Sequence, residues 1–364
     1  MPLKVLFASV STSNTSSCYT QRLSLLKGGI EQCGIFVDIL YLGDYFIRSP
    51  FFAEALNIPM LKKEVDGYDV IHGGAANASY VMSIMKNFCR FKLIYDVHGS
   101  PEDVLLNERL GFSSIFSYFE EFMFEQISLR YSDFFITCSK PLRNNLLRRG
   151  IDKLKVEVIR NGVDTKLFAP QEISSNGSKF VVTYGGAFQR WQGIENLIAA
   201  ATSITDPSVS FKIIGFRKKD SVLKTKIERM LTGKAELINS LSQIELVQQL
   251  RLSDILLIPR SRHRVTQLAF PTKFAEYIAT GKPVIVTDVD ETADFVRKYN
   301  CGFVCEPSAK SIAKAIIKAK QTPTEDLLEM GRNGRKLAES QFDWRIIGKQ
   351  YFEFLQRILF SNKS

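Results

Sequence analysis

Lys273 and Glu276 are the ionisable residues of this chain whose type and spacing point most directly to chemistry. They fall in a predicted loop, helix, turn and strand over residues 270–288. Pro271 suits the first helical position, where a missing N–H costs nothing, and Gly281 suits the end of the helix. A cation in the first turn of a helix is unfavourable unless an anion binds there. Lys273 therefore indicates a phosphate ligand, the alternative being a solvated lysine.

The segments that would position these residues alternate between strand and helix in both halves of the chain. Short apolar runs, typical of strands covered on both faces, are separated by helical patterns. This alternation predicts a doubly wound parallel sheet in each half, with ligands beyond the carboxyl ends of the strands. The predicted strands are 4–10, 37–42, 68–72, 92–97 and 133–137 in the first half, and 180–184, 209–214, 235–238, 254–258, 284–286 and 302–305 in the second.

A polar stretch between the halves, residues 170–179, contains Ser-Ser-Asn-Gly-Ser and predicts a linker between two domains. A cleft between domains is the usual place for a ligand. The loop at 11–17 follows the first strand but has no glycine, whereas NAD binding needs glycines for close approach to the pyrophosphate. A dehydrogenase is therefore disfavoured.

The charge of the chain limits its partners. Its 48 Lys and Arg against 38 Asp and Glu give a formal net charge of +10, which attracts nucleotides, nucleic acid or acidic lipid. The basic residues are spread out and no nucleic-acid reader module is evident, so nucleic acid is not expected as a partner. No apolar run is long enough for a transmembrane helix, and the first is too short for a signal sequence. Six scattered cysteines without paired metal-ligand spacing indicate mostly buried thiols in a reducing, cytoplasmic compartment.

An aromatic segment at residues 112–135 has two interpretations. The favoured one is a helix buried in a core. The other is a face on a membrane surface, helped by the nearby Arg130, Arg143, Arg148 and Arg149. Glu120, Glu121 and Glu125 oppose that interpretation if the lipid is anionic. Peripheral contact with the inner face of a membrane, through the N-terminal domain, stays open on this evidence.

Several short motifs, taken in order, resemble those of the retaining nucleotide-sugar glycosyltransferases of the GT4 family. The motif at 271–277, followed by 281–285, is fairly specific, whereas the others persuade through order and spacing. They lie at 95–99, 132–139, 159–164, 184–186 and 190–193.

The resemblance implies the GT-B fold, in which two Rossmann-like domains of doubly wound parallel sheet face a cleft. The N-terminal, acceptor-side domain would span 1–168 and be joined by the C-terminal helix at about 344–360. The donor-binding domain would span 169–343. The implied reaction moves a sugar, hexosyltransferase-like, from a nucleoside diphosphate sugar to an acceptor hydroxyl with retained configuration. The setting would be the synthesis of surface glycan or glycolipid, with a glycan or lipid-linked acceptor.

The resemblance also assigns site residues. Glu276 would hold the donor ribose hydroxyls, Lys273 and the helix start would face the diphosphate, Arg190 would stabilise the departing diphosphate, and His98 would lie near the donor sugar at the acceptor side. No cofactor or metal is implied, and the Asp-x-Asp at 288–290 falls where the family has a simple turn. The catalytic candidates are thus His98, Arg190, Lys273 and Glu276, and the donor-binding candidates are Gly185, Gly186, Asn239, Ser240, Arg260, Pro271, Thr272 and Glu276.

Two departures from the family pattern keep a rival function open. Leu268 occupies the place of a frequent sugar-binding carboxylate, and Gln192 the place of a frequent lysine. A non-catalytic scaffold or nucleotide-sugar sensor on the same fold is therefore the alternative. A nucleotide-sugar epimerase is disfavoured because the chain has only three histidines. The base, the donor sugar, the acceptor and the oligomeric state are not specified by the sequence.

Overall fold

The computed structural model describes residues 3–11, 18–47, 55–102, 112–171 and 179–360. The glycine-free loop at 12–17 and most of the predicted linker lie outside these ranges. The chain forms two compact units, Met1–Arg160 with Trp344–Ser364, and Asn161–Asp343.

The first boundary lies earlier than the 168/169 boundary predicted from the sequence. Residues after 160 already belong to the C-terminal unit, because they bond and pack there. The Val163 N–H donates to the Phe342 carbonyl at 2.7 Å, Arg335 donates to the Thr165 carbonyl at 2.8 Å, and Phe168 is buried.

The N-terminal unit contains a six-stranded parallel sheet in the order β2-β1-β5-β6-β7-β8. A small antiparallel pair, β3 with β4, lies apart from it. The strands are β1 Lys4–Ser9, β2 Phe36–Tyr41, β3 Phe46–Ile47, β4 Ala55–Leu56, β5 Val70–Gly74, β6 Lys92–Val97, β7 Phe134–Thr137 and β8 Val156–Val158. The helices are α1 Cys18–Glu31, α2 Ile58–Val65, α3 Ala75–Met85, α4 Phe112–Tyr131, α5 Lys140–Arg148 and the C-terminal helix Trp344–Phe360.

Strand β1 shows why this sheet is covered on both faces. Its side chains alternate between two separate cores, as the period of two in a strand requires. Val5 and Phe7 pack with α1 and the C-terminal helix, whereas Leu6 and Ala8 pack with α2 and α3. The apolar run therefore reads as a central parallel strand, which confirms the prediction for this half.

The C-terminal helix lies in the N-terminal unit, against α1. The two backbones approach so closely at Gly29 and Gly348 that a Cβ on Gly348 would lie 2.2 Å from the Gly29 carbonyl carbon. A side chain at either position would force the helices apart. Trp344, Ile347 and Tyr351 then fill the core beneath the sheet.

The C-terminal unit repeats the architecture with a second six-stranded parallel sheet in the order β11-β10-β9-β12-β13-β14. This confirms the prediction of two doubly wound sheets. The strands are β9 Phe180–Gly185, β10 Val209–Phe216, β11 Ala235–Asn239, β12 Ile255–Ile258, β13 Val284–Thr287 and β14 Gly302–Cys305. The helices are α6 Ile194–Ser203, α7 Ser221–Met230, α8 Gln243–Arg251, α9 Arg264–Leu268, α10 Thr272–Ala279, α11 Glu291–Tyr299, α12 Ala309–Gln321 and α13 Thr324–Leu337, which continues as a π-turn over Ala338–Phe342.

The aromatic helix α4 is not buried as the favoured interpretation predicted. Its buried face carries Glu125 and Ser128, and the Glu125 carboxylate lies 3.1 Å from Arg149. The opposite face carries a stripe of exposed apolar side chains, which we call the α4 stripe. Its members are Ile115 (49% exposed), Phe116 (73%), Phe119 (59%), Phe122 (38%) and Met123 (52%). Among the described residues, no helix is long and apolar enough to cross a membrane.

Candidate functional site

Helix α10 is positioned by its apolar face and by the residues at its two ends. Phe274, Ala275 and Ile278 are fully buried. Pro271 is the residue just before the helix and not, as predicted, its first residue. Gly281 follows the end of the helix with φ +72°, as predicted. The start of α10 follows β12 and α9 in the chain and lies at the carboxyl end of the sheet, where ligands of such folds bind.

Lys273, in the first turn of α10, is half-buried among neutral groups. Its Nζ donates to the Tyr184 hydroxyl at 3.2 Å and to Gln192 Oε1 at 3.1 Å, and it lies 4.3 Å from the centre of the Tyr184 ring. Burial, with a smaller contribution from the positive charge of Arg260, lowers the pKa of Lys273 to about 7, against an opposing effect of Glu276. The ammonium thus lacks the compensation that an anion would supply.

Two tyrosines hold the Gly185–Gly186 loop against this lysine. The Tyr277 hydroxyl accepts from the Gly185 N–H at 2.7 Å and donates to the Gly185 carbonyl at 2.9 Å. The Tyr184 hydroxyl donates to the Ala187 carbonyl at 2.6 Å. Gly186 has φ +146°, and a Cβ there would lie 2.6 Å from Lys273 Nζ. Glycine is therefore required for the backbone to come this close to the ammonium.

Glu276 lies one turn after Lys273 on the same helix, so the two side chains share a face. Burial raises the pKa of Glu276, and the charge of Lys273 partly opposes that shift. A half-buried carboxylate beside a half-buried ammonium can bind a ligand that carries both an anion and hydroxyl groups.

We call Lys273, Glu276 and the adjacent Gly185–Gly186 loop the Lys273 row, and backbone contacts extend this row along the edge of the sheet. The Gly186 N–H donates to the Ile214 carbonyl at 3.0 Å, and a Cβ on Gly215 would lie 2.3 Å from the Gly186 carbonyl oxygen. The Ser240 hydroxyl in turn donates to the Gly215 carbonyl at 3.1 Å. The structure therefore brings Asn239 and Ser240, at the end of β11, into the same edge as the glycine loop.

His98, in the N-terminal unit, follows β6 and is one-fifth exposed. Its Nε2 lies 2.8 Å from Asp96 Oδ2, and that carboxylate is fully buried. The same oxygen lies 3.1 Å from His72 Nε2 and 3.2 Å from Arg22 Nε. These contacts define a second polar cluster, built on the carboxyl end of a different sheet.

Two family models match the chain, and together they extend over both units. The model of Glycosyltransferase Family 4 matches residues 27–167, and that of glycosyl transferases group 1 matches residues 166–337. The chain belongs to the GT4-type glycosyltransferases of the GT-B fold. Among its relatives are a colanic acid biosynthesis glycosyltransferase of Escherichia coli, WcaL, at 23% identity over 63% of this chain, and a teichuronic acid biosynthesis glycosyltransferase of Bacillus subtilis, TuaH, at 24% over 60%. The matches span 58% and 56% of the length of those two relatives.

Solved structures of low sequence identity share the GT-B fold. A sucrose-phosphate synthase from Thermosynechococcus elongatus superposes with a TM-score of 0.78 at 19% identity, covering 99% of this chain and all of the other. Anabaena HepE in complex with UDP-glucose gives a TM-score of 0.74 at 19% identity, covering 97% and 99%.

Not every site residue that the GT4 resemblance suggested lies in the Lys273 row. Arg190 is exposed in the short turn Arg190–Gln192, and it is Gln192 from that turn that reaches Lys273. Thr272 is exposed at the start of α10, and Leu268 is buried in α9.

Arg260 is buried in an ion pair with Asp290 and also donates to the Ala269 carbonyl at 3.2 Å. Asp290 further caps α11 by accepting from the Thr292 N–H at 2.9 Å. Asp288 pairs with Arg297. Both carboxylates of the Asp-x-Asp thus serve the fold. Within the described residues, no cluster of three or more His, Cys, Asp or Glu could hold a metal ion.

The sequence did not predict a role in a site for two residues of the N-terminal cluster, Asp96 and Arg22. Asp96 lies in the motif at 95–99, to which the resemblance assigns only His98 a role, and Arg22 lies 74 residues away from Asp96 in an ordinary helical pattern. A signal for Asp96 existed, since a carboxylate inside an apolar strand covered on both faces requires a partner. Nothing local in the sequence names that partner.

Proposed function

We propose that the protein is a retaining, metal-independent glycosyltransferase that moves a hexosyl group from a nucleoside diphosphate sugar to an acceptor hydroxyl in glycan synthesis. The observation that carries this proposal is the placement of Lys273 at the start of α10, beside the Gly185–Gly186 backbone and one turn from Glu276. The names of two relatives, which refer to the biosynthesis of colanic and teichuronic acid, support it, as do the structures of HepE in complex with UDP and UDP-glucose.

The diphosphate is the part of the ligand that the Lys273 row fits best. A helix start offers unpaired N–H groups and a positive dipole end, and Lys273 adds a cation whose present acceptors are both neutral oxygens. A diphosphate bound there would receive the compensation that the half-buried ammonium lacks. Thr272, at the start of the same helix, and Arg190, in the turn that carries Gln192, are exposed and would reach the diphosphate from solvent.

Glu276 is the group that we propose for the ribose. A carboxylate can accept two hydrogen bonds from a vicinal diol, and charge-assisted bonds of this kind are strong. Asn239 and Ser240 would hold the base through backbone groups at the end of β11.

The chemistry needs a good leaving group more than a nucleophile on the protein. In the proposed step the bond between the anomeric carbon and the diphosphate oxygen breaks, and the acceptor oxygen forms its bond on the same face of the sugar. The acceptor proton leaves on the departing diphosphate. Lys273 and the helix start stabilise the negative charge that develops on that group, which is where fixed cations act most effectively.

The test of this function is the response of donor binding to Glu276→Ala. Loss of two charge-assisted bonds, about 1.5 kcal/mol or more each, predicts that the affinity for a nucleoside diphosphate sugar falls by about 100-fold. The measurement is calorimetric titration across UDP- and GDP-sugars, together with transfer or hydrolysis by the wild type. A 2′,3′-dideoxynucleoside diphosphate is the matched ligand control, because the variant and the wild type should bind it equally.

Two outcomes would count against the proposal. Equal affinity of the wild type and Glu276→Ala for the ribose-containing ligand would remove Glu276 from the site. A wild-type protein that binds these ligands but neither transfers nor hydrolyses any of them would favour the scaffold or sensor. The observation that favours this alternative is Leu268, a buried and uncharged side chain where the family often has a sugar-binding carboxylate.

The acceptor side of the proposal rests on the α4 stripe. We propose that this stripe lies in the interface of a membrane that carries a lipid-linked acceptor. Its five apolar side chains recur at helical spacing, and the exposed Arg130 and Tyr131 follow them at the end of the helix. The excess of basic residues, +10 over the whole chain, complements anionic headgroups, although Glu120 beside the stripe opposes them.

Vesicle binding tests this contact. The double variant Phe116→Ser, Phe119→Ser should lose co-sedimentation with vesicles of phosphatidylglycerol and phosphatidylcholine, whereas Val222→Ser, an equally exposed apolar side chain of the C-terminal unit, should not. Unchanged vesicle binding by the double variant would refute the membrane contact. A concentration-dependent dimer that the double variant abolishes would assign the stripe to a second copy of the chain instead.

A further inference from the structure

The N-terminal polar cluster is a network of close polar contacts that ends at one partly exposed group. Asp96, His72 and Tyr351 are fully buried and Arg22 is nearly so, whereas the His98 side chain is one-fifth exposed. Four chain segments contribute: α1, β5, the end of β6 and the C-terminal helix. An arrangement that buries an ionised carboxylate to support one accessible imidazole calls for an explanation beyond stability, because buried charges are costly.

The protonation states within the network follow from its contacts. Burial alone would raise the pKa of Asp96, but Arg22, His98 and His72 hold it well below its usual value, so the carboxylate is ionised. Arg22 also donates to the Arg160 and Ile159 carbonyls, each at 3.1 Å. The Asp96 carboxylate is therefore in contact with one guanidinium and two imidazoles.

The direction of each hydrogen bond is then fixed. Burial raises the pKa of Tyr351 well above its usual value, so its hydroxyl keeps its proton and can donate to His72 Nδ1, 3.0 Å away. An ionised carboxylate can only accept a hydrogen bond, so the His72 Nε2 that lies 3.1 Å from Asp96 Oδ2 carries a proton. His98 places its own Nε2 on the same oxygen, so its proton also sits on Nε2.

We propose that Asp96, supported by His72 and Tyr351, is a positioning residue that holds His98 as the neutral Nε2–H tautomer, so that Nδ1 can only accept a hydrogen bond, as it would from a substrate hydroxyl. The part that concerns substrate rests on the proposed function. The assignment excludes His98 as a proton donor to the leaving group. It also links the C-terminal helix to the site, because Tyr351 is the far end of the network.

Burial, reinforced by the charge of Arg22, lowers the pKa of His98 despite the opposing effect of Asp96. A neutral ring at pH 7 agrees with the tautomer argued from the contacts. The second proton-bearing neighbour on the carboxylate, His72, likewise disfavours an imidazolium at His98.

The tautomer can be read directly by NMR on the full chain labelled with ¹⁵N-histidine. The chain has only three histidines, so His72→Gln and His98→Gln suffice to assign the ring signals. Long-range ¹H–¹⁵N correlations at pH 7 should show His98 protonated on Nε2 and not on Nδ1. An Nδ1–H tautomer or an imidazolium would overturn the proposal. This readout needs no substrate, so it stands or falls independently of the proposed transferase activity.

A double-mutant cycle tests whether Asp96 acts through His98. Asp96→Asn should lower kcat by about tenfold in the wild-type background, with the donor KM unchanged, and should have no further effect when His98 is Ala. Equal losses in both backgrounds would make Asp96 a structural residue only. If Asp96→Asn fails to fold, Tyr351→Phe replaces it: the ring is kept, the donor to His72 is lost, and a shift of the His72 ring signals without any change at His98 would contradict the network.

Discussion

The Lys273 row of the C-terminal unit and the Asp96 network of the N-terminal unit are both built on the carboxyl ends of parallel strands, yet they treat charge in opposite ways. Lys273 is surrounded by neutral oxygens, and the positive charge of Arg260 makes its ammonium still less favourable. Asp96 is surrounded by donors, of which one is a permanent cation. The Lys273 ammonium has no carboxylate among its hydrogen-bond acceptors, and Glu276 only partly offsets the cost of its burial, whereas Asp96 lies against a guanidinium.

This difference indicates what each cluster can bind. A half-buried cation held by neutral groups gains most from an anionic ligand, because the ligand supplies the missing opposite charge. A balanced network gains nothing from a charged ligand, but it fixes the orientation of one imidazole for a neutral hydrogen bond. The C-terminal cluster therefore suits a diphosphate, and the N-terminal cluster suits a hydroxyl group.

The largest expected effect comes from removing the internal balance of the N-terminal cluster. Arg22→Met leaves the fully buried Asp96 without its guanidinium, and breaking one side of a buried ion pair costs about 3–5 kcal/mol. Urea unfolding should show this as a lower midpoint with an unchanged slope. Arg130→Met is the matched control, since Arg130 is exposed on the surface of the same unit.

If Arg22→Met lowers the free energy of unfolding no more than Arg130→Met does, the contrast between the two clusters is wrong. Asp96 would then not depend on its counter-charge in the folded state.

Lys273→Met, unlike Arg22→Met, should lower activity without lowering stability. Turnover should fall by about 10²–10³ if the ammonium stabilises the departing diphosphate. The melting temperature should stay the same or rise, because the variant no longer has to bury an uncompensated charge. Steady-state kinetics and a thermal melt measure the two effects, with the exposed Lys226→Met of α7 as the control. A large fall in melting temperature without loss of turnover would make Lys273 a structural residue.

The pH dependence of the affinity for the donor is the smallest of these expected effects, but it tests the charge of Lys273 most directly. Burial lowers the pKa of its amine to about 7 in the free protein, and a bound diphosphate would raise it again. Below pH 7 the lysine is already charged, so affinity should be nearly constant. Above pH 7 binding must take up a proton, so affinity should fall with rising pH, by at most tenfold per pH unit.

Calorimetry in two buffers of different ionisation enthalpy measures that proton uptake, and Lys273→Met should abolish it. The ligand should be a nucleoside diphosphate sugar, whose diphosphate diester does not titrate in this range. Binding by the wild type without proton uptake at pH 8 would remove Lys273 from contact with the ligand.

Some of the site was readable because it depends on neighbours in sequence. Gly281 ends α10 through its backbone freedom, and the spacing of Lys273 and Glu276 puts both on one face of that helix. Asp288 pairs with Arg297 and Asp290 with Arg260, so both carboxylates of the Asp-x-Asp have counter-charges in the structure.

Other features could not be read because a helical or strand period does not say which partner covers a face. The aromatic α4 was expected in the core, but its carboxylate side is buried, with Glu125 paired to Arg149, and the α4 stripe faces outward. Gln192 departs from the family pattern, where a lysine is frequent. Its hydrogen bond from Lys273, 81 positions away in the chain, could not be predicted from the sequence.

The sequence by itself determined the two parallel sheets, the family, and the helix that carries Lys273 and Glu276. Backbone preferences, apolar runs and helical spacing act over a few residues, so these features survive without knowledge of the rest of the chain. Only the tertiary structure decided that Lys273 meets neutral oxygens, that Asp96 gathers Arg22 and two histidines, and that Tyr351 returns from the C-terminal helix to join them. Such contacts depend on which distant groups are buried together, and burial sets both their charge states and the direction of their hydrogen bonds.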